Sequence, residues 1–155
     1  MTPAIHAARR AKIAHQVHEY THDPGMESYG VEAADKLGVP HNRVFKTLVA
    51  AIDDRELVVA VVPVTSMLSM KALAKAMGAK KAAMAKPADV ERVTGYVLGG
   101  VSPLGQKKRL KTVIDASARA FPTIYVSAGR RGLQIELNPL DLEKLVGGGF
   151  AEIGR

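Results

Sequence analysis

The chain contains no cysteine and no tryptophan, and aromatic residues make up only 5% of its 155 positions. The lack of cysteine excludes disulfides, thiolate metal sites and a cysteine nucleophile, and it fits a reducing compartment. The shortage of aromatics argues against a broad stacking platform for single-stranded RNA. No apolar run is long enough to span a membrane, and Met1 to Gln16 carries Arg9, Arg10 and Lys12 among alanines where a signal peptide would have an apolar core. A Gly-x-Ser-x-Gly elbow, a Walker-type phosphate loop and a His-Glu-x-x-His helix are also missing. These absences predict a cytoplasmic protein with no membrane association. An enzyme of this composition is expected to work by positioning and electrostatics, with water or the substrate itself supplying the nucleophile.

What is present is an ordinary globular balance, 47% hydrophobic and 24% charged. That is enough for one domain over residues 1–155 to bury a core without a structural metal. Lys and Arg number 22 against 15 Asp and Glu, a net charge of +7. A basic balance in a small domain favours a polyanionic partner.

The elements alternate irregularly. Thr2-Pro3 caps an Ala-rich helix expected to run to about His15, and His15 to Thr21 looks extended. A short helix over Val31 to Leu37 stops at Gly38. Val44 to Ile52 and Glu56 to Pro63 form a hairpin around Asp53-Asp54-Arg55. Ser69 caps a helix from Met70 that ends at Gly78, and Pro87 opens another that ends at Gly95. Leu110 to Asp115 reads as a strand. Thr123 to Ala128 and Leu133 to Leu137 form a second hairpin around Gly129-Arg130-Arg131-Gly132, with Leu133, Ile135 and Leu137 on its buried face. Asn138-Pro139 opens a last helix, followed by Gly147 to Gly149. The pattern predicts an α+β fold, a mainly antiparallel sheet with helices packed around it.

Three features carry possible chemistry. Lys46 lies in an otherwise nearly apolar strand, where a lysine lines a pocket, pairs with an acid or snorkels outward. The run Gly99-Gly100-Val101-Ser102-Pro103-Leu104-Gly105 is either a plain loop or a close-approach loop whose amides face an oxyanion or a phosphate. Lys107, Lys108, Arg109 and Lys111 follow it. Arg130 and Arg131 sit at a hairpin turn, solvated or in contact with phosphate. His15, His18 and His22 would share a helical face as metal ligands. Their segment reads as extended, where an offset of three reverses the face, so no metal is expected.

The segments Val44-Phe45-Lys46-Thr47-Leu48-Val49, Val62-Pro63-Val64, Met70-Lys71-Ala72-Leu73-Ala74, Thr94 to Gly105, and Gly129-Arg130-Arg131-Gly132-Leu133 occur in this order. Together they resemble the YbaK-type Cys-tRNA(Pro) deacylases, relatives of the editing domain inserted in bacterial prolyl-tRNA synthetases. The resemblance covers nearly the whole chain. It implies a mixed, barrel-like sheet wrapped by helices, and cleavage of the ester that links a wrong amino acid to tRNA. It assigns catalysis to Lys46, Gly99, Gly100 and Ser102, and lines the substrate pocket with Tyr20, Tyr29, Phe45, Thr47, Val101, Pro103 and Gly105. Relatives often have phenylalanine where this chain has Tyr29, and some have an acid near Gln134. The proposed nucleophile of the family is the thiol of the cysteinyl substrate; a bound water is the rival. No cofactor is implied. The partners implied are the acceptor end of aminoacyl-tRNA, an RNA and not DNA, and a possible dock on prolyl-tRNA synthetase. Charge and expected exposure nominate Lys71, Lys75, Lys80, Lys81, Lys107, Lys108, Arg130 and Arg131 for the tRNA body. A non-catalytic tRNA adapter and a deacylase for another small amino acid such as alanine remain open at this level.

Overall fold

A computed structural model of the chain describes residues 1–26 and 28–155. The described residues form five α-helices and eight strands in an α+β arrangement. One antiparallel sheet has three strands, β1 (His15–Glu19), β7 (Leu133–Leu137) and β6 (Ile124–Arg130), in the order β1-β7-β6. The other has five, β4 (Ala82–Met84), β2 (Phe45–Ile52), β3 (Glu56–Pro63), β5 (Thr112–Asp115) and β8 (Gly149–Ala151), in the order β4-β2-β3-β5-β8. The β3–β5 and β5–β8 pairs are parallel and the other pairs antiparallel, so the sheet system is mixed and mainly antiparallel, as expected. A single parallel bridge, Val44 to Tyr125, joins the two sheets at one edge.

Alternation along β2 and β3 sends side chains into two cores. Phe45, Val49, Val59 and Val61 face the main core, which they share with Ile124, Val126, Ile135 and Leu137 of the three-stranded sheet. Helices α1 (Pro3–Arg10) and α5 (Pro139–Val146) add Ala4, Ala8 and Leu142 to it. Ala50, Ile52, Val58, Ala60 and Val62 face the other way and pack with Leu73 of α3 (Met70–Ala76). Helix α2 (Tyr29–Leu37) covers the Val44–Tyr125 junction with Ala33 and Ala34, and α4 (Pro87–Thr94) leads into the glycine-rich loop.

The termini of these elements follow local chemistry. Thr2 accepts from the Ile5 amide at 3.3 Å and Pro3 occupies the first turn. This helix ends at Arg10, five residues short of the expected His15, because Lys12 turns into positive φ (57°) before β1 begins. The hairpin between β2 and β3 turns through Asp53 and Asp54, both at positive φ (51° and 54°), the type I′ arrangement. Two edge strands, β4 and β8, escape the sequence pattern because three residues are too few to show a period. The strand expected from Leu110 begins at Thr112. Among the described residues no helix is long and apolar enough to cross a membrane.

Candidate functional site

Strand β2 is finished along only part of its outer edge. Its inner edge pairs with β3 over the whole length, from Phe45–Pro63 to Ile52–Glu56. Its outer edge pairs with β4 only at Ala50, Ala51 and Ile52. The Val49 carbonyl still accepts from the Ala85 amide at 3.1 Å, which shows that odd-numbered residues turn their backbone groups outward. Thr47 therefore presents its N–H and C=O to an edge where, among the described residues, no strand pairs with it. A cavity of about 390 Å³ opens at this gap. Its walls come from β2, the start of α2, the glycine loop and the β6–β7 hairpin.

Lys46 lines this cavity and is half-buried. No carboxylate among the described residues forms an ion pair with it. Burial pushes its ammonium below the ordinary value of 10.5. Of the three fates open to a lysine in this strand, the structure selects the pocket. Two further polar atoms are buried in the same cavity without a hydrogen-bond partner, Thr47 Oγ1 and Gln134 Oε1. Leaving such a group unsatisfied costs about 1–3 kcal/mol, so both oxygens are free to accept from a donor that enters the cavity.

Tyr20, Tyr29, Phe45, Thr47, Gly99 and Val101 also line the cavity, together with Arg130 and Arg131. Burial raises the Tyr20 phenol above its ordinary value and outweighs the Gly132 backbone hydrogen bond, which acts to lower it; the phenol stays neutral and available to donate. Tyr29 meets the Arg131 guanidinium face-on, 3.6 Å from ring centroid to Cζ. Gly99 makes this stack possible. It has positive φ (89°), and a Cβ there would lie 2.7 Å from both Arg131 Nε and Tyr29 Cε2.

The rest of the glycine loop sits elsewhere than expected. The Gly100 amide donates to the Val97 carbonyl at 3.0 Å, so it is already used within the turn. A Cβ on Gly100 would meet Arg130 Cα at 2.8 Å; this glycine lets the loop press on the β6 backbone and does not face the cavity. Ser102 is fully buried, and its hydroxyl accepts from the Leu104 amide at 3.2 Å. Pro103 and Gly105 line a separate cavity with Lys108 and Arg109, and Gly105 packs against Pro3. The loop is thus a brace between α1, β6 and the pocket, and only Gly99 and Val101 of it reach the main cavity.

The charged candidates divide in the same way. Lys71 and Lys75 are exposed on α3, and Lys80 and Lys81 lie exposed before β4, with Lys81 paired to Asp54 at 2.7 Å. Lys107 and Lys108 are exposed beyond the loop. None of these six lines the main cavity; Arg130 and Arg131 do. The three histidines do not converge. His15 contacts the Ile13 carbonyl, His18 bonds Glu136 at 2.9 Å, and His22 bonds Glu32 at 2.6 Å. Sequence reasoning missed Gly30, Val64, Leu48 and Ser127 as cavity walls. Gly30 carries a spacing signal only in three dimensions, since a Cβ on it would collide with Val64.

A family model described as the aminoacyl-tRNA editing domain matches residues 23–145. A protein of Enterococcus faecalis, EbsC, whose name makes it a candidate Cys-tRNA(Pro)/Cys-tRNA(Cys) deacylase, is 40% identical over 152 residues, covering 98% of this chain and 92% of that protein. A proline–tRNA ligase of Lactobacillus delbrueckii subsp. bulgaricus is 24% identical over 111 residues, 72% of this chain and 20% of the ligase. Among solved structures, one described as a candidate trans-editing enzyme for prolyl tRNA synthetase superposes with a TM-score of 0.81 at 23% identity, over 100% of this chain and 99% of that one.

Proposed function

This chain belongs to the aminoacyl-tRNA editing domain family and is an aminoacyl-tRNA deacylase, and on that premise we propose that it removes cysteine mischarged onto tRNA(Pro). The observation that carries the reading is Lys46, a half-buried cation with no acidic partner among the described residues, in a cavity bounded by an unfinished strand edge. The name of the Enterococcus relative supports the choice of amino acid. A cavity of about 390 Å³ suits an aminoacyl group and part of the terminal adenosine.

In this reading the terminal aminoacyl-adenosine enters the gap beside β2. The unpartnered Thr47 and Gln134 oxygens take the α-ammonium, replacing lost water contacts with charge-assisted hydrogen bonds. Lys46 faces the ester and stabilises negative charge on its oxygens as the bond breaks. With the Gly100 amide already engaged, Gly99 and Val101 are the loop residues left to contribute backbone donors. The substrate thiol attacks its own carbonyl carbon, the C–O bond to the ribose breaks, and the thiol proton ends on the departing ribose oxygen. Water then opens the small sulfur ring to free cysteine. A free thiol near pKa ~8.5 is a few per cent thiolate at neutral pH, and a neighbouring ammonium raises that share. Proximity of thiol and carbonyl lowers the barrier further, offset in part by ring strain. The exposed lysines and arginines hold the tRNA body by charge, and prolyl-tRNA synthetase is the partner that lends tRNA selectivity. An unchanged tRNA preference with and without synthetase would contradict that last point.

The test is single-turnover deacylation of Cys-tRNA(Pro), Ala-tRNA(Pro) and Pro-tRNA(Pro). The expected result is fast loss of cysteine with proline spared. Preferential loss of alanine would reassign the amino acid, and loss of none would contradict the deacylase reading of this cavity.

A further inference from the structure

At the mouth of the cavity a chain of contacts runs from the interior to the surface. Glu32, in the first turn of α2, is 1% exposed. One of its oxygens accepts from the Asp23 amide at 2.6 Å and lies 3.3 Å from Lys36 Nζ. Burial acts to raise its pKa, but the Asp23 amide, His22 and Lys36 together hold it below the ordinary value, so it is a carboxylate. Its other oxygen lies 2.6 Å from His22 Nδ1. The opposite ring nitrogen, Nε2, lies 3.0 Å from Arg131 Nη1.

These contacts fix donor and acceptor roles. A guanidinium nitrogen only donates, so His22 Nε2 is the acceptor in its contact with Arg131. That leaves Nδ1 as the ring nitrogen that donates to Glu32. Arg131 is held on three sides, by the His22 acceptor, by the Tyr29 ring face and by the close wall at Gly99. His22 also meets Tyr29 edge-on at 5.9 Å, which closes the cluster. An arginine at the tip of a hairpin normally keeps its rotamer freedom. This one has three contacts that restrict it, while its remaining nitrogens have no partner among the described residues, and the residue lines the cavity and is exposed to solvent.

We propose that Arg131 is a pre-positioned phosphate-binding group that grips the backbone phosphate next to the esterified terminal nucleotide, and that Glu32 and His22 are its positioning residues. This rests on the reading of the cavity as an aminoacyl-tRNA site. A guanidinium matches two phosphate oxygens at once, and ordering it beforehand removes an entropy cost from binding. Lys46 then serves the negative charge that develops on the ester and Arg131 the charge already on the phosphate, two cations for two places on one substrate end. A merely structural reading would have the same contacts tie the His22–Asp23 segment to α2, with no consequence for phosphate.

Two probes separate these readings without relying on turnover. One is adenosine carrying cysteine through an amide at the 3′ position. The other is the CpCpA trinucleotide with the same amide-linked cysteine, which adds backbone phosphates. The parent is expected to bind the trinucleotide at least ~10-fold more tightly, the size of one charge-assisted contact. Arg131→Ala should remove most of that advantage and flatten the salt dependence of trinucleotide binding by ~0.7 in the log–log slope, while any loss of pocket contact shared by the two probes cancels in the ratio of their affinities. His22→Ala should follow Arg131→Ala, whereas His22→Gln, which keeps one donor and one acceptor, should restore most of the advantage. An Arg131→Ala protein that keeps the full preference and salt slope overturns the proposal and leaves the deacylase reading standing. A parent that binds neither probe overturns both.

Discussion

The two halves of β2 share one neighbour and differ in the other. From Ala50 to Ile52 the strand lies between β3 and β4, and its side chains are core: Ala50 fully buried, Ile52 6% exposed. From Phe45 to Leu48 it has, among the described residues, β3 alone, and there it carries Lys46 and a Thr47 hydroxyl with no partner among them. Both halves pair with β3 in one unbroken register. What separates the half packed between two strands from the half beside the cavity is that the second ladder stops, leaving main-chain groups and a cation facing a cavity in place of another strand.

That contrast can be broken from the structural side first. Ile52→Ala should cost about 2–4 kcal/mol of stability, since it opens a space in the second core, and should leave the rate per folded molecule unchanged. Chemical denaturation paired with single-turnover kinetics reads both. A changed rate would mean that the halves are coupled more tightly than their separate packing suggests. The opposite border of the same sheet offers a smaller, pH-dependent effect. Asp115 accepts from the Ser117 hydroxyl at 2.5 Å and from the Gly154 and Ile153 amides at 2.9 and 3.0 Å, pinning the C-terminal residues to β5. Burial acts to raise its pKa, but these donors win and hold it below its ordinary 3.8. Its contribution is therefore present above about pH 3.8 and is lost as pH falls through the lower folded value. Asp115→Asn should be less stable than the parent at pH 7, with the gap closing in acid; a gap that widens in acid would contradict the sign. The smallest effect is expected at the turn. Asp54 has positive φ, so Asp54→Gly should gain about 0.5–1 kcal/mol, offset only slightly by loss of its exposed pair with Lys81, without touching the rate.

The half of β2 beside the cavity was partly legible in the sequence. A lysine among apolar strand residues is conspicuous, and Lys46 does line the cavity. Tyr20, Tyr29, Phe45, Thr47 and Val101 came with the resemblance, and they too reach it. The glycine loop was visible as a loop, but not the task of each residue. Gly99 makes room for an arginine, Gly100 for the β6 backbone and Gly105 for α1, and these differ only in what lies across space. The hairpin arginines looked like a solvated turn. The order on Arg131 comes from Glu32 and His22, about a hundred residues earlier in the chain, and no local pattern joins them. The fold was legible where elements are long enough to show a period or carry a cap, as at Thr2-Pro3, Ser69 and Asn138-Pro139. The three-residue strands β4 and β8 were not, and β4 is the one whose early end leaves the cavity open.

The most direct test of the central claim is Lys46→Met, with thermal unfolding and single-turnover deacylation of Cys-tRNA(Pro) measured on the same preparation. Burial disfavours the Lys46 charge, so an apolar side chain of similar length removes a cost of folding. The account predicts a melting temperature equal to or above that of the parent, with a rate lowered by roughly 100-fold or more, the scale seen when a charge-stabilising group is removed from an active site. A variant that turns over cysteine at the parental rate, or that loses activity only because it unfolds, would contradict the claim that this half of β2 holds a cation for chemistry and not for the fold.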